Sequence, residues 1–136
     1  MKDLLRLMKL LSDETRVRTL LLLGRKELCV CQIMAVLGVS QPLVSRNLAL
    51  LEDAGLLAER RQGKLVFYSL RKDLPPRARR LMLLVRDSAG DDPRLAADLE
   101  SLRDCEEYQR RTGRCDMKVF LEFMEKRKKK KTGRTP

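Results

Sequence analysis

The sequence predicts a mostly α-helical fold with one small β-hairpin, and three observations support this prediction. Apolar residues, mainly leucine, recur at helical spacing along most of the 136-residue chain. Aromatic residues make up only 4% of the sequence, so the core must be largely aliphatic. Only residues 56–70 contain a β-branched and aromatic arm beside a glycine turn. A chain of this length is expected to form one domain around one core.

Two helices are predicted before residue 25. In the first, apolar residues from Leu4 to Leu11 form a face broad enough for the core or for a dimer interface. Ser12 is a good N-cap for the second helix. Asp13 and Glu14 then lie in its first turn, where the helix dipole favours negative charge. This helix is expected to end at Gly24.

Residues 27–55, ELCVCQIMAVLGVSQPLVSRNLALLEDAG, predict two short helices joined by a turn. The first runs from Ile33 to Leu37 and stops at Gly38. The second runs from Gln41 to Asp53, with Ser40 as its cap. This is the helix-turn-helix pattern, in which the second helix enters the major groove of DNA.

The second helix of this motif has two different faces. Its inward face carries apolar residues at spacings of four and three, namely Val44, Leu48 and Leu51. Its outward face is small and polar with one arginine, and consists of Pro42, Ser45, Arg46 and Ala49, with Gln41 at the leading end. Such a face can approach base edges closely, so it predicts DNA reading.

The segment after this motif predicts a β-hairpin with arms at 56–61 and 64–70 and Gln62-Gly63 between them. Arg60, Arg61 and Lys64 cluster at its predicted tip. A basic hairpin directly after a helix-turn-helix is a wing, which can lie along the phosphate backbone. Arg61 and Lys64 are therefore predicted to contact DNA.

Three segments are predicted along the chain. Residues 1–88 form the DNA-binding and dimerisation domain, which ends with a fifth helix at 77–88. Residues 89–125 form a helical extension with two cysteines, in helices at 94–111 and 116–126. Residues 126–136 form a basic tail that is expected to be disordered. This tail holds seven basic residues and no acidic ones, and supplies most of the net charge of +11. Such a charge favours nucleic acid as a partner.

The sequence contains four cysteines and no histidine, which limits the kinds of catalytic and metal site that it can form. No apolar run approaches the roughly 18 residues that span a bilayer, and the N-terminus lacks a signal-peptide cleavage site. We therefore expect a cytoplasmic protein that has reduced thiols and no membrane contact. Cys29 and Cys31 have C-x-C spacing, whereas a thiol oxidoreductase would carry C-x-x-C in a βαβ unit. No enzyme is predicted.

The segments SDETRVRTLLLL, ELCVC, LGVSQPLVSRNLALLEDAGLL and RRQGKLVFYSL resemble the ArsR/SmtB family of bacterial winged-helix metal-responsive repressors. The resemblance covers residues 1–88. It implies a homodimer held by the first and fifth helices, which binds a palindromic operator and releases it when an inducer binds. It also implies that Ser40, Gln41, Ser45 and Arg46 face DNA. Asn47 stands where the family often has histidine.

The ELCVC segment resembles the arsenite-responsive branch of the family, which implies arsenite, As(III), as inducer and no cofactor in the repressing state. The same segment also occurs in the branch that responds to Cd(II) and Pb(II). The arsenic pattern usually has a third cysteine where this chain has Met34. The family's other common site, on the fifth helix, needs histidine, so a zinc or nickel site is not expected there.

Soft thiolates select soft ions such as As(III), Cd(II) and Pb(II). Cys29 and Cys31 lie near a helix N-terminus and near Arg25-Lys26, and both features lower the pKa of a thiol. We expect Cys105 or Cys115, from either subunit, to complete a three-sulfur site. The alternatives are a four-sulfur Cd(II) or Pb(II) site, a separate Cys105/Cys115 site, and a redox or persulfide switch through a disulfide.

The spacing of the first two cysteines also predicts a mechanism. Residues two apart lie on the same side of an extended segment but diverge on a helix. Binding of one ion by Cys29 and Cys31 would therefore deform the start of the third helix, which supports the DNA-reading helix. A coupling of roughly 1–3 kcal/mol would change operator affinity about 5- to 150-fold.

Overall fold

The computed structural model describes the backbone of residues 1–133 and the side chains of residues 1–129. This part of the chain forms seven α-helices and a small three-stranded antiparallel sheet, which confirms the predicted fold class. The helices are α1 (Lys2–Leu10), α2 (Glu14–Leu23), α3 (Val30–Leu37), α4 (Gln41–Asp53), α5 (Pro76–Ala89), α6 (Pro93–Thr112) and α7 (Met117–Gly133). The strands are β1 (Leu28–Cys29), β2 (Leu57–Gln62) and β3 (Leu65–Leu70).

Helix α2 begins one residue later than the sequence predicts. Asp13 is its N-cap, because the Asp13 carboxylate accepts a hydrogen bond from the Arg16 backbone N–H at 2.9 Å. The predicted cap, Ser12, is wrong, since its hydroxyl donates to the Met8 carbonyl at 2.6 Å. Ser12 therefore closes the last turn of α1 and cannot open α2.

Helices α3 and α4 form the predicted helix-turn-helix. Helix α3 starts at Val30, three residues earlier than expected, and ends at Gly38, whose φ of 70° is the left-handed conformation that glycine adopts without strain. Helix α4 has the predicted bounds, and the Ser40 hydroxyl caps it by accepting from the Leu43 N–H. No single helix among the described residues is long and apolar enough to cross a membrane. Helices α3 and α4 together have the length and apolar composition of a membrane span, but the pair is bent by 116°.

Strands β2 and β3 form the predicted hairpin, with Gln62 opposite Leu65. The turn therefore lies at Gly63-Lys64, one residue later than expected. Strand β1 is a feature that the sequence did not predict. It pairs with the other edge of β3, where Leu28 faces Tyr68 and Cys29 faces Phe67. The predicted thiol segment is therefore joined by backbone pairing to the predicted wing.

Helices α6 and α7 pack against α3, and α6 also contacts α2. Their buried side chains, including Leu102, Cys105, Phe120 and Phe123, join the core that α2, α3 and α4 build. The extension thus packs against α3 as well as against α2. Helix α7 continues to Gly133, so residues 126–133 are helical where the sequence predicted disorder. Residues 134–136 lie outside the described part of the chain.

Local interactions explain why the basic segment is helical. Arg127 forms an ion pair with Asp104 of α6, and the Lys126 ammonium lies 5.0 Å from the centre of the Tyr108 ring. Lysine and arginine are good helix formers, and cations near a helix C-terminus interact favourably with its dipole. Cross-helix contacts thus stabilise a segment whose composition alone predicts a solvated coil.

Candidate thiol site and nucleic-acid interface

Cys29 is shared by two elements, because it is the last residue of β1 and the N-cap of α3. Its backbone N–H donates to the Gln32 side-chain oxygen at 3.0 Å. The Gln32 backbone N–H in turn donates to the Cys29 sulfur, which completes a capping box. Cysteine thus occupies the position that serine or threonine usually takes, and the residue is only 2% exposed.

Two other thiols surround Cys29. The Cys31 and Cys115 thiols both form hydrogen bonds with the Cys29 sulfur. The hydrogen bond from Cys31 is the main cause that lowers the pKa of Cys29 from 9.0 to about 6, against the effect of burial. Backbone N–H groups of Gln32 and Cys31 act in the same direction, as expected at a helix N-terminus. Cys29 is therefore the thiol of this group that ionises first.

The remaining thiols hold their protons more firmly. Donation to Cys29 raises the pKa of Cys31, and burial adds to this effect. Burial raises the pKa of Cys115, together with the negative charge of Cys29. Burial also raises the pKa of Cys105 to about 12, and the charges of Cys29 and Cys115 contribute. Cys29 is therefore the thiolate, and the thiols around it are protonated.

The four cysteines are free thiols. In residues 1–129, no group of three or more His, Cys, Asp or Glu side chains is arranged so that it could hold a metal ion. Cys29, Cys31 and Cys115 therefore form a hydrogen-bonded cluster, which we call the thiol cluster, and not a closed ligand set. Coordination of one ion by all three would require the cluster to contract.

Polar contacts fasten the extension to α3 beside the thiol cluster. The Gln32 side-chain amide donates to the Gln109 side-chain oxygen of α6 at 3.0 Å. The buried Ser101 hydroxyl of α6 donates to the Val36 carbonyl at 2.7 Å. Gln32 therefore contacts both the N-cap residue Cys29 and the last turn of α6. Through Gln32, a movement of Cys29 can be transmitted to α6.

Arg25 and Lys26 do not have the role that the sequence suggested. Lys26 forms an ion pair with Glu106 of α6 at 2.8 Å, and neither basic residue contributes to the lowered pKa of Cys29. Thiol and backbone donors, which act at hydrogen-bond distance, take the place of the expected basic side chains.

The predicted DNA-reading face of α4 is exposed to solvent. Gln41, Ser45 and Arg46 are exposed together with Ser40 at the helix start. Val44, Leu48 and Leu51 on the opposite face are buried, as predicted. Asn47 is also buried, at 1% exposure, and so lies inside the domain instead of on this face. Helix α4 thus presents a small polar surface on a fixed apolar base.

The predicted wing residues divide into two kinds. Arg61 and Lys64 are exposed near the turn of the hairpin. Arg60 is held in place, because its guanidinium pairs with Glu27 at 2.7 Å and lies 4.9 Å from the centre of the Phe67 ring. Hydrogen bonding to Arg60 lowers the pKa of Glu27. Arg60 therefore joins the wing to the residue that precedes β1.

Sequence reasoning did not identify Gln32, Gln109 and Glu27, which connect the thiol cluster to the extension and the wing. One signal was available for Gln32, since a glutamine three residues after an N-cap is typical of a capping box. No local pattern marks Gln109 or Glu27, because their partners are distant in the sequence.

Residues 13–59 match the family model described as bacterial regulatory protein, arsR family. The chain is 54% identical over 68 residues to an arsenic resistance transcriptional regulator, ArsR2, of Pseudomonas putida, and the match covers 49% of this chain and 59% of that protein. It is 47% identical over 79 residues to the arsenical resistance operon repressor of Escherichia coli, and the match covers 57% of this chain and 68% of that protein. It is 41% identical over 69 residues to a cadmium resistance regulatory protein, CadC homolog, of Staphylococcus aureus, with 50% and 57% covered. The match to the P. putida and S. aureus proteins thus spans less than two thirds of their length.

Solved structures show the same architecture. Reduced HlyU from Vibrio cholerae has a TM-score of 0.56 at 28% identity, and the match covers 64% of this chain and 88% of that one. A homodimeric winged helix-turn-helix DNA-binding domain from Mycobacterium bovis has a TM-score of 0.55 at 28% identity, with 68% and 82% covered. From its helix-turn-helix, its wing and these matches, the chain belongs to the arsR family of bacterial regulatory proteins.

Proposed function

We propose that this protein is a transcriptional repressor that binds operator DNA as a homodimer and leaves it when trivalent arsenic binds the thiolates of Cys29 and Cys31. The observation that carries the proposal is the place of Cys29, which caps the helix behind α4 and pairs with the wing strand. The similarity to two arsenic-resistance regulators supports arsenic as the inducer.

The repressing state uses the surfaces already described. Helix α4 enters the major groove with Ser40, Gln41, Ser45 and Arg46, and the wing places Arg61 and Lys64 along the phosphate backbone. Exposed apolar residues on α1 and α5, namely Leu5, Met8, Leu83 and Leu84, supply the dimer interface. A twofold axis then places the two α4 helices in half-sites about one helical turn apart.

Arsenic binding changes the thiol cluster, and two connections transmit the change. Because Cys29 caps α3, movement of its sulfur disturbs the first turn of the helix that packs against α4. Because Cys29 also pairs with Phe67, the same movement disturbs β3 of the wing. A coupling of roughly 1–3 kcal/mol through these connections would weaken operator binding about 5- to 150-fold.

The first experiment compares wild-type protein with Cys29→Ser. Serine is a preferred N-cap, so the variant should keep α3 folded and bind operator normally. It lacks the central thiolate, so arsenite should no longer release it from DNA. Fluorescence anisotropy of labelled operator, with reduced protein at fixed salt, measures both quantities. Full arsenite-dependent release of Cys29→Ser would refute the proposal.

A second candidate is a repressor that responds to Cd(II) or Pb(II) through all four thiols. Two observations favour it. Cys105 lies close enough to Cys29 and Cys115 to respond to their charges, and the chain is similar to a cadmium resistance regulator. Four thiolates suit a tetrahedral divalent ion. Release by cadmium that requires Cys105 would support this function over the arsenic response.

A further inference from the structure

We infer that the third ligand of the arsenic site is Cys115 of the same subunit, and that Cys105 takes no part in it. This inference rests on the proposed function, because it completes the ligand set of that site. The family match ends at residue 59 and includes neither cysteine. The choice therefore depends on the geometry of this chain alone.

Cys115 is placed where a ligand can move. It lies in the short connection between α6 and α7, after Gly113, whose φ is 67°. On the other side, the Asp116 carboxylate accepts from the Val119 N–H at 2.9 Å and holds the start of α7. The half-buried Cys115 side chain packs against the core and forms a hydrogen bond with the Cys29 sulfur. Rotation within this connection can bring the thiol closer without breaking either helix.

Cys105 is placed where movement is costly. It lies inside α6 and is 2% exposed. Its relation to the thiol cluster is electrostatic, whereas Cys31 and Cys115 form hydrogen bonds with Cys29. A shift of α6 would disturb three contacts that fasten this helix, made by Asp98, Ser101 and Gln109.

The chemistry of the three-sulfur site balances without a redox step. Arsenous acid, As(OH)₃, exchanges three As–O bonds for three As–S bonds. The Cys29 thiolate displaces one hydroxide, and the protons of Cys31 and Cys115 leave with the other two hydroxides as water. Arsenic stays trivalent, so no oxidant or reductant is consumed. Three soft sulfur donors complete the coordination that Met34, a buried thioether, cannot supply.

The test uses the reduced full-length homodimer with arsenite as the probe and compares Cys115→Ala with the matched variant Cys105→Ala. X-ray absorption at the arsenic edge counts sulfur neighbours, and operator release reports function. We expect Cys115→Ala to lose one sulfur neighbour and to bind arsenite more than about tenfold more weakly, since even an outer-shell change costs that much. Cys105→Ala should keep three sulfur neighbours and wild-type release.

The other possible results contradict either the ligand assignment or the proposed function. If Cys105→Ala loses a sulfur neighbour and Cys115→Ala does not, the ligand assignment is wrong while the arsenic response stands. If both variants keep three sulfurs, neither thiol is the ligand and the inference fails. If arsenite neither binds wild-type protein nor releases it from operator, the proposed function itself fails.

A co-expressed heterodimer decides which subunit supplies the thiol. One chain carries Cys29→Ser and the other carries Cys115→Ala. A site within one subunit leaves neither chain with all three ligands, so no three-sulfur arsenic should form. If the ligand were Cys115 of the partner subunit, one complete site per dimer would remain, and its detection would overturn the assignment within one subunit.

Discussion

Cys29 combines three roles that usually belong to different residues. It caps α3, ends β1 and accepts hydrogen bonds from two thiols. A thiolate at this position is stabilised by the helix N-terminus and by its thiol donors, so it is prepared to bind a soft cation. An ion that draws this sulfur away must compete with the backbone groups it caps. In the proposed function, sensing and the local fold therefore depend on the same atom.

Arg46 provides a prediction for the DNA-reading face. It is exposed on α4 and, within the described residues, its side chain makes no hydrogen bond or ion pair. Arg46→Ala should weaken operator binding by about 1–3 kcal/mol if the guanidinium contacts a base edge. Its unfolding free energy should change by less than about 0.5 kcal/mol, because an exposed side chain without partners adds little stability. Anisotropy and urea unfolding measure the two effects.

Lys72→Ala is a suitable control for that measurement, since Lys72 is exposed between the wing and α5 and lies outside the proposed interface. Its operator affinity should remain near that of the wild type. An Arg46→Ala variant that binds operator as tightly as this control would contradict the placement of α4 in the major groove.

At the scale of single residues, apolar periodicity alone was sufficient to predict which side chains of α4 are buried. The spacing of Val44, Leu48 and Leu51 predicted the buried face, and the exposed face followed from it. Periodicity did not predict that Asn47 is buried, because a polar side chain normally favours the surface. It also could not separate Cys105 from Cys115, since each is more than seventy residues from Cys29 in a chain whose tertiary contacts are not encoded locally.

At the scale of elements, the extension formed by α6 and α7 is joined to the DNA-binding domain by a buried ion pair. Arg18 of α2 contacts Asp98 of α6 at 2.8 Å, with 13% and 4% of the two side chains exposed. Arg18 also donates to the Leu37 carbonyl at the end of α3 at 3.3 Å. Three helices therefore meet at one guanidinium, and its hydrogen bond with Asp98 is the main cause that raises the pKa of Arg18.

Removal of one charge from this pair should destabilise the whole domain. Asp98→Asn leaves Arg18 largely buried without its counter-ion, which should lower the free energy of unfolding by about 3 kcal/mol. Urea or thermal unfolding followed by circular dichroism measures the change. Asp73→Asn is the matched control, because it removes the carboxylate of the exposed Arg71–Asp73 pair. Equal stability of the two variants would show that the buried pair does not fasten the extension.

The elements differ in how far the sequence could predict them. Long helices and the hairpin follow from apolar periodicity and from turn residues, as α4 and β3 show. Strand β1 has only two residues, and its existence depends on the free edge of β3, which lies about forty residues later. The helical form of residues 126–133 depends in part on contacts of Lys126 and Arg127 with α6. Amino-acid composition cannot reveal that β1 pairs with β3 or that Lys126 and Arg127 contact α6.

For the whole molecule, we propose that three regions have separate tasks. Apolar faces of α1 and α5 are available for a second subunit, and α4 and the wing are available for DNA. The thiol cluster lies between the wing strand and the extension. The family identity could be predicted from residues 27–70, because the helix-turn-helix and wing are contiguous there. The proposed third ligand, Cys115, could not be predicted in this way, because it lies far along the chain from Cys29.

In the proposed function, thiol chemistry at Cys29 is transmitted to the surfaces that bind DNA. Hydrogen exchange of the reduced homodimer, measured with and without arsenite, tests this transmission. We predict faster exchange of backbone amides in the first turn of α3 and in the β1–β3 pairing, where Leu28 faces Tyr68 and residue 29 faces Phe67, with no such change in Cys29→Ser. Release from operator with unchanged exchange at these amides would contradict the account.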